Sequence, residues 1–445
     1  MTFVAHPRFA PFEELFDAFA ADGFEIVFVG GCVRDLVMEK DEIGDIDLAT
    51  SAPPSETKRV LKASGFRAIP LGEKFGTITT MVGDVTVEIT TYRVGELYEH
   101  GSRHPVVRFG TDLKEDLVRR DLSINAMAMH RDGTIVDPFD GQRAIRERTL
   151  EVPGGGYEET ISILRDDPLR LLRTARFAAR FDFPPTDDTT RAARESAAEL
   201  EHISRERWKV ELDKLLVAAH ATRGLSWLQE TGALLVVLPE LIMLDAADVK
   251  ALGAHVAVAP ADALTRWAIL AWRALLGREA FDPDNAPGQM RQYPGPRRVA
   301  IVDDLADRFK WSNKERKVLK RLLASPFSPA VLGETPTAPT LRRWYDAARD
   351  DVFRQLDVAA ALWPALHEAV SARRAELRAL LEREDPVPRL PSGLGNRLRA
   401  EVGLTGPAIG EAMALLREEI LEGRVDNGAD AEAYIAHARR VLAQG

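Results

Sequence analysis

In Asp45-Ile46-Asp47 two carboxylates stand two residues apart. On a strand, side chains at i and i+2 project to the same side, so both acids point together while Ile46 faces a core. Adjacent carboxylates repel unless a cation lies between them. Hard oxygen ligands of this kind suit magnesium (Mg2+), whose shell is typically completed by substrate phosphates. Glu88, on the polar side of a second strand, is a candidate third carboxylate. Upstream, Gly30-Gly31-Cys32-Val33-Arg34-Asp35 lets backbone approach an anion at a strand-to-helix turn, with Arg34 one turn in as a possible phosphate clamp. Cys32 has no base near it in sequence and reads as a small packing residue.

A second group is Arg119-Arg120-Asp121 with Asn125. Arg120, Asp121 and Asn125 are expected within one or two turns of a single helix spanning KEDLVRRDLSINAMAM. Asp121 could accept from a ribose hydroxyl, and an arginine could bind phosphate or fix that aspartate. The third group lies in Asp166-Asp167-Pro168-Leu169-Arg170 and onward to Arg180. At about 100° per residue, Arg170, Arg173, Arg176 and Arg180 fall within about 120° of one arc, opposite Leu171, Leu172, Ala175, Ala178 and Ala179. A solvated face usually alternates signs, yet no acid follows Asp167 until Asp182. Four unpaired arginines on one face predict a polyanion, either nucleotide phosphates or RNA backbone. Asp167 and Arg170, three apart, offer an acceptor beside a planar donor fork and could read the edge of a base.

These residues need elements to position them. An amphipathic helix through Phe12, Leu15, Phe16 and Phe19 precedes a buried strand, EIVFV, that ends at the glycine pair. GDIDLAT is a second strand, and Pro53-Pro54 opens a helix running to Gly65. GTITTMVGDVTVEITTY reads as a hairpin turning at Gly83-Asp84, with Val85, Val87 and Ile89 on one side and Thr86, Glu88 and Thr90 on the other. TIVDPFDG returns to strand and turn. From about residue 157, Ala, Leu, Arg and Glu recur at helical spacing, which predicts an α+β head followed by a long all-α body. Breaks fall at 183–188, 281–298, 334–340 and 384–393, of which the second and fourth are candidate linkers. The expected divisions are a head at 1–150, a helical neck at 151–225, a helical body at 226–385 and a helical tail at 386–445.

Composition narrows the field. The 445 residues carry 59 Lys plus Arg against 69 Asp plus Glu, a formal charge of −10. Any nucleic-acid contact must therefore use local basic patches, such as Arg297-Arg298 or Lys310 to Arg321, on an acidic body. The single cysteine excludes an internal disulfide framework and any multi-cysteine zinc site. His-Asp and HExxH signatures are missing. No signal peptide is legible in the first residues, and the longest apolar stretch, from Gly232, is broken by Pro239 and Glu240. A cytoplasmic protein without membrane contact is expected.

Taken in order, GGCVRD, GDIDLAT, the FGTITT…VEITTYR hairpin, RHPVVRF, EDLVRRDLSINAMAM, DPFDG and DDPLRLLRTARFAARF resemble the class II tRNA nucleotidyltransferase/poly(A) polymerase family, most of all its bacterial CCA-adding members. The resemblance covers roughly residues 25–185, and GLTGPAIGEAMALLREEILEGRVDN is similar to that family's tail. It implies a polymerase-beta-like nucleotidyltransferase head and transfer of CMP and AMP from CTP and ATP to the 3′ acceptor end of tRNA. By the same resemblance Gly30, Gly31 and Arg34 would hold the triphosphate, Asp45 and Asp47 the metal, and Arg120 with Asp121 the incoming ribonucleotide. Asp167 and Arg170 would select the base, supported by Arg173 and Arg176. Asp166 departs from the glutamate many relatives carry there. The alternatives are a poly(A) polymerase, a CC-only or A-only enzyme, and a non-catalytic RNA-binding protein, which the intact Asp45/Asp47 pair disfavours.

Overall fold

The computed structural model describes residues 7–97, 106–154, 156–276, 295–324 and 336–442. It divides into two compact units, residues 1–215 with 223–239 and residues 216–222 with 240–445.

The first unit is built on a mixed sheet. In chain order its strands are β1 (Ile26–Val29), β2 (Ile46–Thr50), β3 (Ile69–Gly72), β4 (Thr77–Val82), β5 (Val85–Thr91), β8 (Ala128–Met129) and β9 (Ile135–Val136), arranged β3-β4-β5-β2-β1-β8-β9. β6 (Arg93–Leu97) and β7 (Val106–Phe109) form a separate antiparallel pair. β2 runs antiparallel to β1 and parallel to β5, while β4 and β5 make the expected hairpin with Val82 opposite Val85. Alternation along the strands sends their two sets of side chains to opposite faces. Phe28, Ile46, Leu48, Ile78, Val87 and Ile89 meet the large core contributed by α1 (Glu13–Ala21), α2 (Gly31–Val37) and α3 (Pro54–Ala63). There Phe9, Phe12 and Phe16 surround the Phe28 ring at centroid distances of 4.6, 5.4 and 5.0 Å. The opposite face has only a small cluster, Val27, Val29, Ala49, Tyr92, Leu117, Ala126 and Ala128. Because that cluster covers part of the face, the polar side chains of β2 and β5 stay accessible.

α4 (Leu113–Val118) precedes β8, α5 (Gly141–Glu147) follows β9, and the expected helical run after residue 157 is α6 (Tyr157–Asp166), α7 (Leu169–Phe181), α8 (Asp187–Ser196) and α9 (Arg205–Leu216). α4 is far shorter than the helix read from KEDLVRRDLSINAMAM.

Helices are the regular elements of the second unit's described residues. Trp267 packs against Phe309 and Trp311 at 5.1 and 5.3 Å. Arg266 is buried yet satisfied, donating to the carbonyls of Pro260, Leu216, Ala218 and Ala259. Of the basic stretch Lys310 to Arg321, three side chains are ion-paired: Arg316 and Lys320 to Asp303, and Arg321 to Asp351. The break at 384–393 is present as non-helical chain. The expected linker at 281–298 lies, as far as residue 294, outside the described residues, as do the first three residues of RHPVVRF, the start of the 334–340 break and the side chains of Arg297 and Arg298. No helix among the described residues is long and apolar enough to cross a membrane.

Candidate active site

Asp47 and Glu88 are register partners across the parallel β2–β5 pair. Their strand neighbours Ile46, Leu48, Val87 and Ile89 are buried in the main core, so period-two alternation turns both carboxylates to the other face. There they line a cleft of about 520 Å³ together with Thr90, Arg120, Asp121, Asp167, Arg170 and Arg173. Asp45 stands exposed one residue before β2 and acts on Asp47 through its charge. Burial pushes the Asp47 carboxyl up to about 6, Glu88 and Asp45 push the same way, and Arg120 partly opposes them. A divalent cation would relieve this crowding of hard, like-charged oxygens. Among the described residues no three acidic, histidine or cysteine side chains form a closed metal cage. An ion held by Asp45 and Asp47 would therefore need substrate oxygens to complete its shell.

The glycine turn does something other than expected. Gly30 has φ +72°, and a Cβ placed there would lie 2.9 Å from Nη1 of Arg120. Its N–H donates to the Met127 carbonyl at 3.3 Å. The turn thus makes room for Arg120, whose Nη2 also meets Asp116 at 3.2 Å. Gly30 and Gly31 do not line the cleft, and neither does Arg34. Read as an outward phosphate clamp, Arg34 instead turns inward: it is 4% exposed, donates to Asp35 Oδ1 at 3.0 and 2.9 Å and to Asn125 Oδ1 at 2.6 Å, and lies over the rings of Phe177 and Phe181. The fork is spent on the neighbouring Asp35 and on Asn125, which the fold brings near from 91 positions away. Cys32 is fully buried, and burial pushes its thiol up to about 11, as suits a packing residue.

The single helix expected to carry Arg120, Asp121 and Asn125 does not form. α4 stops at Val118, Leu122 is extended (φ −140°, ψ 150°), and Ser123–Asn125 is one 3-10 turn. Side-chain bonds to backbone compete with the helical ladder here. Asp121 Oδ1 accepts from the Leu122 N–H at 2.9 Å and from Asn125 Nδ2 at 2.8 Å. Its Oδ2 accepts from Arg173 Nε at 2.9 Å and Nη2 at 2.6 Å. Four donors fill a carboxylate's acceptor sites. Asp121 has no oxygen left for a ribose hydroxyl in this arrangement, and of the two readings, it is the arginine that fixes the aspartate. Burial would raise this carboxyl, but Arg173 and the Asn125 hydrogen bond outweigh it and hold the group below the ordinary carboxylate range.

α7 has the expected arc, but its arginines are not unpaired. Arg173 meets Asp121 and, at 3.4 Å, Glu211; Arg176 meets Glu211 at 2.5 Å. Arg170 donates to the carbonyls of Ile163 (2.8 Å) and Arg119 (2.6 Å). Arg180 is exposed beside the Phe181 ring. The acidic partners of Arg173 and Arg176 lie 35 to 52 positions away, beyond any local reading of charge. Asp167 is also not on the helix: its backbone is extended (φ −137°, ψ 91°), ahead of Pro168, and its carboxylate pairs with Arg207 at 3.3 Å. Asp167 and Arg170 nonetheless share the cleft wall, whereas Asn125 and Arg176 sit behind it. Glu211 is a site residue that sequence reasoning misses. Its signal is a lone acid on the apolar face Trp208, Leu212 and Leu215 of α9.

A seven-stranded mixed sheet presenting paired carboxylates, followed by an arginine-lined helix, defines a nucleotidyltransferase head. Residues 26–151 match the Poly A polymerase head domain, and residues 182–244 match a family described as the probable RNA and SrmB- binding site of polymerase A. The CCA-adding enzyme of Geobacillus kaustophilus is 35% identical over 342 residues, covering 73% of this chain and 79% of that protein. The CCA-adding enzyme of Geobacillus sp. is 41% identical over 219 residues, 49% of this chain and 52% of its own length. Among solved structures, the Bacillus stearothermophilus CCA-adding enzyme in complex with CTP superposes with a TM-score of 0.70 at 27% identity, over 98% of this chain and 99% of that one. The chain belongs to the CCA-adding enzyme family, whose chemistry generally uses a divalent metal.

Proposed function

We propose that this protein adds CMP and AMP to the 3′ end of tRNA, drawing on CTP and ATP and releasing pyrophosphate, with Mg2+ as the metal and the cytoplasm as its compartment. The observation that carries the reading is the convergence of Asp47, Glu88, Arg120, Asp167, Arg170 and Arg173 on one cleft. The relative solved with CTP, and its covering of nearly the whole chain, support it.

Asp45 and Asp47 would hold the metal, which when bound lowers the pKa of the attacking hydroxyl and offsets charge on the leaving phosphates. Arg120, propped by Asp116 over the cleft beside Gly30, supplies fixed positive charge close to Asp47. Arg173 supplies a second fixed guanidinium, oriented by two bonds to Asp121. Asp167 and Arg170 present an acceptor and a donor fork to the same cleft, suited to the edge of a base. Such side-chain reading would let the protein choose nucleotides without a nucleic-acid template. The test incubates purified protein with tRNA lacking its 3′ CCA, Mg2+ and nucleotides singly and in pairs. The expected product is CCA. A long A tail would show a poly(A) polymerase, CC or A alone a partial enzyme, and no extension a binding protein.

A further inference from the structure

Glu211 bridges the two arginines behind the cleft wall. Only 5% exposed, it comes from α9 and accepts from Arg176 Nε through Oε2 (2.5 Å) and from Arg173 Nη1 through Oε1 (3.4 Å). Arg173 is the one of the two that reaches the cleft. Two more of its donors, on Nε and Nη2, go to Asp121, which in turn holds Asn125, and Asn125 accepts from Arg34 of α2. A chain of side-chain hydrogen bonds thus runs from α9, through the cleft wall, to the helix that follows the glycine turn. Two carboxylates and two guanidinium groups balance at its centre. Buried networks of this kind act as a unit, because removing one member leaves its partners uncompensated.

Without Glu211, Arg176 keeps a buried positive charge beside Arg173, whose charge already disfavours its own. Arg173 then has one anchor, Asp121, and a like charge at its back. The Nε–Nη2 edge keeps its two bonds to Asp121, but the Nη1 edge loses its acceptor and faces the uncompensated Arg176 charge, which displaces the guanidinium from its position at the cleft.

We propose that Glu211 is a positioning residue for nucleotide binding, fixing Arg173 in the cleft from outside it. The inference rests on reading the cleft as the nucleotide site. Glu211 touches no cleft surface and would not itself meet substrate.

The experiment measures CTP and tRNA parameters for wild type, Glu211→Gln and Glu211→Asp, with CTP dissociation constants from equilibrium dialysis alongside. Glu211→Gln should raise the nucleotide KM and Kd about tenfold while the tRNA KM stays within about threefold. Glu211→Asp, which keeps the charge on a shorter arm, should recover most of that loss. If Glu211→Gln does not fold, the Asp variant carries the test alone, with an expected rise of about threefold. A lowered fraction of active protein with unchanged nucleotide KM and Kd would make Glu211 a structural residue and overturn the proposal. The wild type separates the two readings: if it binds CTP but adds nothing to tRNA, the proposed activity fails while the Kd series still decides the role of Glu211. If it binds no CTP, both fall.

Discussion

A side chain on Gly30 would start 2.9 Å from the Arg120 guanidinium, so the glycine at the end of β1 is what lets Arg120 reach over the cleft floor. Gly30→Ala should therefore fail twice, through strain at φ +72° and through displacement of Arg120. Gly23 supplies the control, having φ +78° and open space where a Cβ would stand, with nothing within 4 Å. Gly23→Ala should cost about 1 kcal/mol of stability and leave the nucleotide KM alone. Gly30→Ala should cost about 1–3 kcal/mol and raise that KM at least tenfold. Thermal melts and steady-state kinetics on the two variants read the difference. Equal behaviour would mean that only the backbone angle matters.

Asp47 is held at a cost to the fold. Its carboxyl is pushed up to about 6 by burial, with Glu88 and Asp45 adding to the effect. A group whose folded pKa lies above its unfolded one favours folding while protonated, and that benefit is lost as pH rises through about 6. In chelator, stability should accordingly fall between about pH 4 and pH 6, and Asp47→Asn should flatten that fall. At pH 8 the variant should be more stable than wild type by on the order of 1–3 kcal/mol and catalytically dead. Melts across pH in EDTA, paired with an incorporation assay, check both halves. A less stable Asp47→Asn at pH 8 would remove the argument for a crowded, cation-seeking site.

Arg34 separates two roles by measurement. Its fork is committed to Asp35 and Asn125 beneath the surface, so Arg34→Met should leave the Asp35 carboxylate with Lys40 as its remaining ion pair and Asn125 Oδ1 without its donor, at a cost of about 1–3 kcal/mol. Inhibition by pyrophosphate, which reports phosphate contacts directly, should change less than about twofold in whatever fraction folds. A phosphate clamp would give the reverse, with an unchanged melting temperature and pyrophosphate binding weakened at least tenfold.

These outcomes also mark what the sequence could carry. Period two in GDIDLAT and VTVEITT placed Asp47 and Glu88 on polar faces, because one-sided burial repeats every two residues whatever the partner strand. The hairpin turn and the arc of α7 were legible for the same local reason. Charge pairing was not. Arg173 and Arg176 look unpaired until Asp121 and Glu211, 52 and 35 positions away, are folded against them. Likewise the residues after Val118 have helical spacing, but Asp121 takes the Leu122 N–H and Arg173 together and breaks the ladder. Long-range partners decide both cases, and no window of neighbouring residues contains them.

Arg170 offers the sharpest test of base selection. Its two terminal nitrogens are tied to the carbonyls of Ile163 at the end of α6 and of Arg119 in the turn after α4. Those anchors leave the rest of the five-donor fork with a fixed direction at the cleft wall. Lysine can supply the charge but not the plane. Arg170→Lys should therefore keep incorporation while lowering the preference for CTP and ATP over UTP and GTP by at least about tenfold. The comparison needs kcat/KM for all four nucleotides on the same tRNA. A loss of equal size for all four would show a point charge acting on phosphate, since a phosphate is common to every nucleotide and a base edge is not.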